Sequence, residues 1–382
     1  MTDTTQTEQF LSREAVVPPQ AARPPGYLFN PWLDFFCLGG GSVIALALIA
    51  LILPKGLPTA QQGVLISVLM LLINQPHFAQ SYQIFYRNFR AKAFGPAYAP
   101  SLRARYLVAG LLVPAALLAF FVVSLMARNE RLLAYGANLM FFLVGWHYVK
   151  QGYGMLIVDS VKKGAMFSDS AKSILRANGY ACWIVAWLAL NHAIRAEPYL
   201  GLTYFTFDVP MPLYYASCAI AAVTTVAALG MLANQWRAAG KLPWNGFIAY
   251  FTTLYLWVIF VRINPLILVV VPTFHSLQYQ IVVWRYQWNA SAASPPGSTI
   301  FLASTGRKFA AFMVIALVLG YLGFAGLPGL FNTYVGYDHA IFGPTLFTFL
   351  FYIFINVHHY FLDNVMWRRE NPDVRKYVFS RF

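Results

Sequence analysis

Charge is the scarcest property of this sequence. Only 10% of its 382 residues are Asp, Glu, Lys or Arg, while 59% are hydrophobic; ordinary soluble domains carry about 25% charged residues. That balance excludes a water-facing globular domain. Cysteine is almost missing as well. Cys37, Cys182 and Cys218 stand alone, with no CxxC pair, which argues against a thiolate zinc site and a disulfide framework and leaves three small apolar residues expected inside. Residues 1–30 lack the charged, apolar and small-residue succession of a cleavable signal peptide; they are polar, carry Pro18, Pro19, Pro24 and Pro25, and read as a mobile cytoplasmic tail. No GxGxxG, P-loop or GxSxG occurs, and the HxxxH and HxxHH clusters of membrane desaturases are missing, since there is one HH pair only.

What is present is a succession of apolar runs, for example 106–126, 213–233 and 309–324, each near the roughly 20 residues that cross a bilayer as a helix. Barrel strands would alternate polar and apolar residues over about ten positions, and these runs do not. The expected fold class is therefore all-α, a polytopic membrane bundle of about ten spans near 33–53, 63–86, 106–126, 132–157, 174–194, 213–233, 246–262, 265–288, 308–326 and 340–367. Residues 31–367 form the transmembrane domain and 368–382 a basic tail. The seventh and eighth spans are divided only by Asn264 and Pro265, with Arg262 near a surface.

The net charge of +14 is spread between the runs rather than gathered in a stripe, so no nucleic-acid partner is expected. It reads instead as topology. With the N-terminus inside, 21 of the 27 basic residues fall in cytoplasmic segments and five on the other side, among them Lys55, Arg195 and Arg262, with Lys150 inside a span. Short cytoplasmic loops collect Lys and Arg, so both termini are expected in the cytoplasm.

Ionisable groups at membrane depth are costly and point to function. Five of the seven histidines qualify: His77, His147, His275, His358 and His359, on the second, fourth, eighth and tenth runs. These even-numbered spans run in one direction. His77 precedes Arg87, His275 precedes Arg285 and His358 precedes Arg368, each by ten residues and each with an aromatic residue just before the Arg. An aromatic–Arg anchor sits at the interface; ten residues at 1.5 Å each place these histidines roughly 15 Å inward, near mid-membrane. Polar neighbours share their faces: Asn74, Gln80 and Ser81 with His77; Lys150 and Gln151 with His147; Gln278 and Tyr279 with His275; Asn356 and Asp363 with His359. Pro76 and Pro272 lie beside two of the sites and are expected to bend the chain there.

A single membrane histidine is ordinarily a helix-to-helix hydrogen bonder; four at matched depth read as one metal site. Imidazole suits Fe, Cu, Zn and Ni. The metal ligands would be His77, His147, His275 and either His358, which keeps the ten-residue spacing, or His359, which lies on the polar stripe. Gln80, Gln151, Gln278 and Asn356 are the groups expected to orient them, and Asp363 and Tyr279 are the candidate catalytic groups, with Asp363 also placed to join the ligands. His192 and His339 fall at outer ends or loops and read as surface residues. The other readings are a transporter whose polar stripes line a path, or a haem protein with paired axial histidines.

The same segments resemble, in order, the Brp/Blh family of membrane-embedded bacterial β-carotene 15,15′-dioxygenases. The counterparts are Pro76-His77, His147-Tyr148, His275-Ser276, and His358 with Asp363 five positions on. Ser81 and Gly152 stand where the family has acids, and Tyr279 where it has another His. The resemblance implies non-haem iron, O2 as cosubstrate, a carotenoid, isoprenoid or other lipid substrate arriving from the bilayer, and residence in a bacterial inner membrane. It leaves any electron donor open.

Overall fold

The computed structural model describes residues 26–52, 59–193, 196–259, 265–294 and 304–379. Residues 1–25, Lys55, Arg195, Arg262 and the break at Asn264 lie outside them. Ten long helical segments follow one another: α1 Pro31–Ile52, α2 Ala60–Tyr86, α3 Pro100–Met126, α4 Glu130–Lys162, α5 Asp169–Ala193, α6 Met211–Ala239, α7 Trp244–Phe251 continued by Thr252–Ile259, α8 Pro265–Ala292, α9 Thr305–Tyr334 and α10 Leu346–Met366. Among the described residues, eight of these are long and apolar enough to cross a bilayer, namely α1 to α6, α9 and α10. The chain is therefore an integral membrane protein of the all-α class.

Local chemistry sets the ends. Asn30 accepts from the backbone N–H groups of Trp32 and Leu33 at 3.1 and 2.9 Å and so opens α1. Asn129 does the same for α4 through Leu132, and Ser304 for α9 through Arg307; each supplies an acceptor to an otherwise orphaned donor. The last helix begins later than the apolar run predicts, at Leu346 rather than near 340, because Asp338 caps a one-turn helix at His339–Phe342 and Gly343 then turns the chain at φ 66°. A two-stranded antiparallel hairpin, Ala196–Tyr199 with Leu202–Phe205, was not expected. It turns on Leu200 and Gly201, both at positive φ, the conformation of a tight two-residue hairpin turn. Its strand residue Thr203 donates its N–H to Glu130 at the start of α4.

The bundle is apolar outside and polar within. Leu51, Val223 and Val226 are 70–80% or nearly so exposed (80%, 69% and 70%), whereas Gln80, Gln278 and His359 are at 0%. Water would not permit that arrangement; hydrocarbon does. Of the cysteines, Cys37 and Cys182 are buried and Cys218 is half-buried.

The interior is brought together by close helix crossings and irregular turns. On α4, a Cβ on Gly152 would come within 2.8 Å of Thr253 on α7, and one on Gly246 of α7 within 2.8 Å of the Leu156 backbone; small residues let these two backbones meet. Just before His77 the chain widens into a π-helical turn at Met70–Asn74, with Gln75 N–H reaching Met70 O, and Pro76 follows without a donor. This is the local irregularity that Pro76 predicts. Pro272 stays inside the helical run of α8.

Candidate metal centre

Four helices each bring one imidazole into a shared part of the interior: α2 His77, α4 His147, α8 His275 and α10 His359. Their ring centres form a closed circuit, His77–His275 at 5.7 Å, His275–His147 at 5.0 Å, His147–His359 at 5.0 Å and His359–His77 at 4.9 Å. An imidazole nitrogen about 2.0–2.1 Å from an ion puts the ring centre about 3.2 Å away, so two ligands at square or tetrahedral angles have centres about 4.5–5.2 Å apart. Three of the four edges fall in that range.

Asp363 completes the group. It lies one turn after His359 on α10, with Oδ2 at 3.4 Å from His359 Nε2 and 3.9 Å from His147 Nε2. Among the described residues, His147, His359 and Asp363 are the group whose ligand atoms all lie within 4.8 Å of one another. Two atoms bound to one ion at about 2.1 Å are separated by about 3.0–3.4 Å, so these three need little closure and His77 and His275 need somewhat more. All five residues are buried, none more than 6% exposed.

The centre is conspicuous for what its atoms lack. His77 Nε2, His147 Nε2, His275 Nδ1, both ring nitrogens of His359 and Asp363 Oδ2 are buried with no hydrogen-bond partner among the described residues. An unpaired buried polar atom costs about 1–3 kcal/mol, and such atoms are rare enough that six in one place call for a missing partner. A cation among the rings would take one nitrogen from each histidine together with Asp363 Oδ2, which leaves the second nitrogen of His359 turned away from it.

Hydrogen bonding fixes the first of these lone pairs. His77 Nδ1 lies against the carbonyl of Asn74 and 2.9 Å from Ser276 Oγ. Ser276 Oγ is also 2.7 Å from Pro272 O, where its one proton goes. A carbonyl can only accept, so Nδ1 carries the proton of His77 and Nε2 turns a bare lone pair inward. The other rings are held by stacking: Tyr148 lies on His275, centres 4.0 Å apart and 21° from parallel, and Tyr360 on His147 at 4.7 Å and 27°. The sequence marked Tyr148 only as the neighbour of His147 in a motif and did not mark Tyr360, because each acts across or beside a helix through its ring face.

The expected orienting groups divide. Gln151 donates to His275 O at 3.0 Å and to Gln278 Oε1 at 2.9 Å, and Gln278 donates in turn to Leu38 O at 2.6 Å; this chain ties α4, α8 and α1 together beside the rings. Asn356 accepts from Tyr360 OH at 3.0 Å and so steadies the ring that stacks on His147. Gln80 donates to Met313 Sδ at 3.4 Å and touches none of the imidazoles through a hydrogen bond. Tyr279 donates to Asp363 Oδ1 at 3.2 Å and shares a 2.6 Å hydrogen bond with Ser81, which stands on α2 one turn beyond His77. Lys150 turns away to Asn364 and lies over Trp146.

His358 is not part of the group. Its Nε2 donates to Ala109 O at 2.9 Å on α3 and its Nδ1 accepts from Tyr82 OH at 2.9 Å, which uses both nitrogens as a neutral helix-to-helix connector. Successive helical residues point about 100° apart, so the stripe of Asn356, His359 and Asp363 marked the inward face and the ten-residue spacing to Arg368 did not. His339 is exposed and His192 half-buried, both outside the centre. His358→Leu is expected to leave metal content unchanged and to lower stability in detergent by about 1–3 kcal/mol, since Tyr82 OH and Ala109 O lose their partner; metal analysis beside a thermal melt checks it, and loss of metal would return His358 to the ligand set.

Set against known proteins, the chain matches no family model, no curated protein and no solved structure.

Proposed function

We propose that the chain is a membrane-embedded metalloenzyme, a non-haem iron oxygenase acting on a carotenoid, isoprenoid or other lipid that reaches the centre from the bilayer. The observation that carries the reading is that four helices each bring a histidine with a partnerless ring nitrogen to one place, beside the partnerless Asp363 Oδ2. His147, His359 and Asp363 would hold the ion, with His77 and His275 completing the donor set. Imidazole and carboxylate donors without thiolate suit ferrous iron. Bound there, iron supplies the O2-binding and electron-transfer chemistry that side chains lack. The chain's own residues do the rest: Asn74 O, with Ser276 Oγ, keeps His77 in the tautomer that donates through Nε2, Tyr148 and Tyr360 hold ring orientation, Tyr279 holds Asp363 Oδ1 so that Oδ2 faces the rings, and the surrounding apolar helices exclude water.

The short motifs shared with the Brp/Blh family support the oxygenase class, and the buried depth supports a lipid over a soluble metabolite. The alternative of a bis-His haem protein is less well supported, because the four rings, with adjacent centres 4.9–5.7 Å apart, and the carboxylate of Asp363 crowd the volume that a porphyrin would need. In this reading α7 and α8 also cross, giving ten spans with both termini in the cytoplasm, a topology that the distribution of basic residues supports, and the membrane is a bacterial inner membrane.

Two measurements test it. Protein purified in detergent should carry one non-haem metal ion per chain and no Soret band; a haem spectrum, or metal-free protein that takes up none on addition of Fe(II), would replace this reading with the haem or transport alternative. Reporter fusions should place both termini on the cytoplasmic side; termini on opposite sides would remove one span and the shared depth of the histidines.

A further inference from the structure

Lys150 is a cation within a membrane helix, and among the described residues it forms no ion pair. It stands in α4 twelve residues before the helix end at Lys162, roughly 18 Å along the axis. Its ammonium donates to Asn364 Oδ1 and lies 4.5 Å over the Trp146 ring, contacts that use its donors and leave its charge unmatched. The charged side chains that act on it most are Arg368 and Arg105, and both are positive. An ionisable group at membrane depth is costly without a partner of opposite charge, and for that reason marks a functional contact.

Three helices build the cluster. Arg105 lies in the second turn of α3, Lys150 on α4 and Arg368 just past the end of α10, which packs against both of the others. Arg368 is paired with Glu370, and that carboxylate also feels Arg105, so three cations share one acid and two positive charges are left over. Arg105 is exposed, while Lys150 and Arg368 are half-buried. Inward of Arg105 on α3, Val108, Leu111 and Leu112 are 48%, 52% and 57% exposed; Val108 and Leu112 fall on the face of Arg105 by helical spacing. In a bilayer that strip meets acyl chains. Charge left over at the head of a lipid-facing apolar strip is the complement of an amphiphile with an acid head, whereas a water-soluble anion would use the charge and not the strip.

We propose that Lys150, Arg105 and Arg368 bind the oxyanion head of an anionic lipid, a phosphate or a carboxylate, whose acyl chain lies along Val108, Leu111 and Leu112 of α3. The two guanidinium groups grip the head, because Arg presents paired N–H donors that match such oxygens. Lys150 adds a point charge from deeper in the bundle and gains the counterion that the protein does not supply. The site lies one turn of α4 from His147, yet it stands whether or not the histidines hold a metal.

The test is binding to the full chain, delipidated in a neutral maltoside detergent. It is titrated with phosphatidylglycerol, palmitate and phosphatidylcholine of matched acyl chains, with inorganic phosphate as competitor, and bound lipid is counted by native mass spectrometry. Phosphatidylglycerol or palmitate is expected to bind at least about tenfold more tightly than phosphatidylcholine, and the acid preferred identifies the head. Lys150→Met and Arg105→Gln should each lower that preference about fivefold, as expected for one basic residue near an acidic lipid. Arg90→Gln, at an exposed arginine outside the cluster, should leave it unchanged. Circular dichroism checks each fold, and the exposed position of Arg105 keeps the test decisive if Lys150→Met does not fold. Equal binding of the acidic and the zwitterionic lipid overturns the proposal, as does a preference that survives in Arg105→Gln or falls equally in Arg90→Gln. Displacement of the lipid by inorganic phosphate at equal concentration would also overturn it, by giving the cluster to a free anion.

Discussion

His359→Ala protein, purified in detergent and titrated with Fe(II), is expected to bind iron at least about a hundredfold more weakly than the parent chain. Substitution of outer groups that merely orient a ligand already costs about 10–100-fold in metal affinity, and His359 is more central than that. Both of its ring nitrogens are partnerless and it is fully buried. Its Nε2 lies 3.4 Å from Asp363 Oδ2, and its ring adjoins those of His77 and His147. Asp363→Asn should behave similarly but less severely, because the amide keeps the volume and the Tyr279 contact while losing the negative charge. Removal of a partnerless ring from an interior leaves no orphaned protein group behind, so helical content and membrane insertion should persist. His192→Ala and His339→Ala, outside the centre, should bind as the parent does. Metal analysis after exhaustive dialysis, beside circular dichroism, reads all four. Equal iron in the parent and in His359→Ala would end the case for this centre.

The long helices were legible because hydrocarbon demands it: a run of about 20 apolar residues has one stable form in a bilayer. Ends were less legible where short polar chemistry decides them. Nothing in the hydropathy of 340–345 announces that Asp338 caps a separate turn and that Gly343 redirects the chain, and the hairpin at 196–205 depends on two adjacent residues accepting positive φ. Within the centre, the helix faces were readable and the contacts between helices were not. The stripe of Asn356, His359 and Asp363 follows from 3.6-residue periodicity and found the right face of α10. That Ser276, beside His275, is a second acceptor for the Nδ1 proton of His77 on another helix follows only from how α2 and α8 register. The same holds for Tyr148 and Tyr360, whose role is carried by ring orientation rather than by any spacing. Gln80 shows the converse: it shares a face with His77, as read, yet its amide is spent on Met313.

Cells that make the protein are expected to convert a hydrophobic compound, and the conversion should require oxygen. The physical reason lies in access. The centre is buried among helices whose outer faces are apolar, so a lipid already dissolved in the bilayer meets a lower barrier than a metabolite that must leave water. A dry pocket also protects a reactive centre from water once O2 is present. His77→Ala or His275→Ala should abolish the conversion while the protein remains inserted, because losing a ligand removes the fixed geometry on which metal chemistry depends, whereas each ring contributes only a few stacking or hydrogen-bonding contacts to the fold. Ser276→Ala offers a finer probe. It keeps the ring of His77 and its bond to Asn74 O but removes one of the two acceptors that hold the proton on Nδ1, so it should weaken activity by about 10–100-fold, as for an orienting group, rather than abolish it. Lipid extracts from carotenoid-producing cells with and without the chain, compared in air and under nitrogen, decide the matter. Identical extracts, or conversion that proceeds equally without oxygen, would sink the oxygenase reading while leaving the metal centre to be explained by transport or electron transfer.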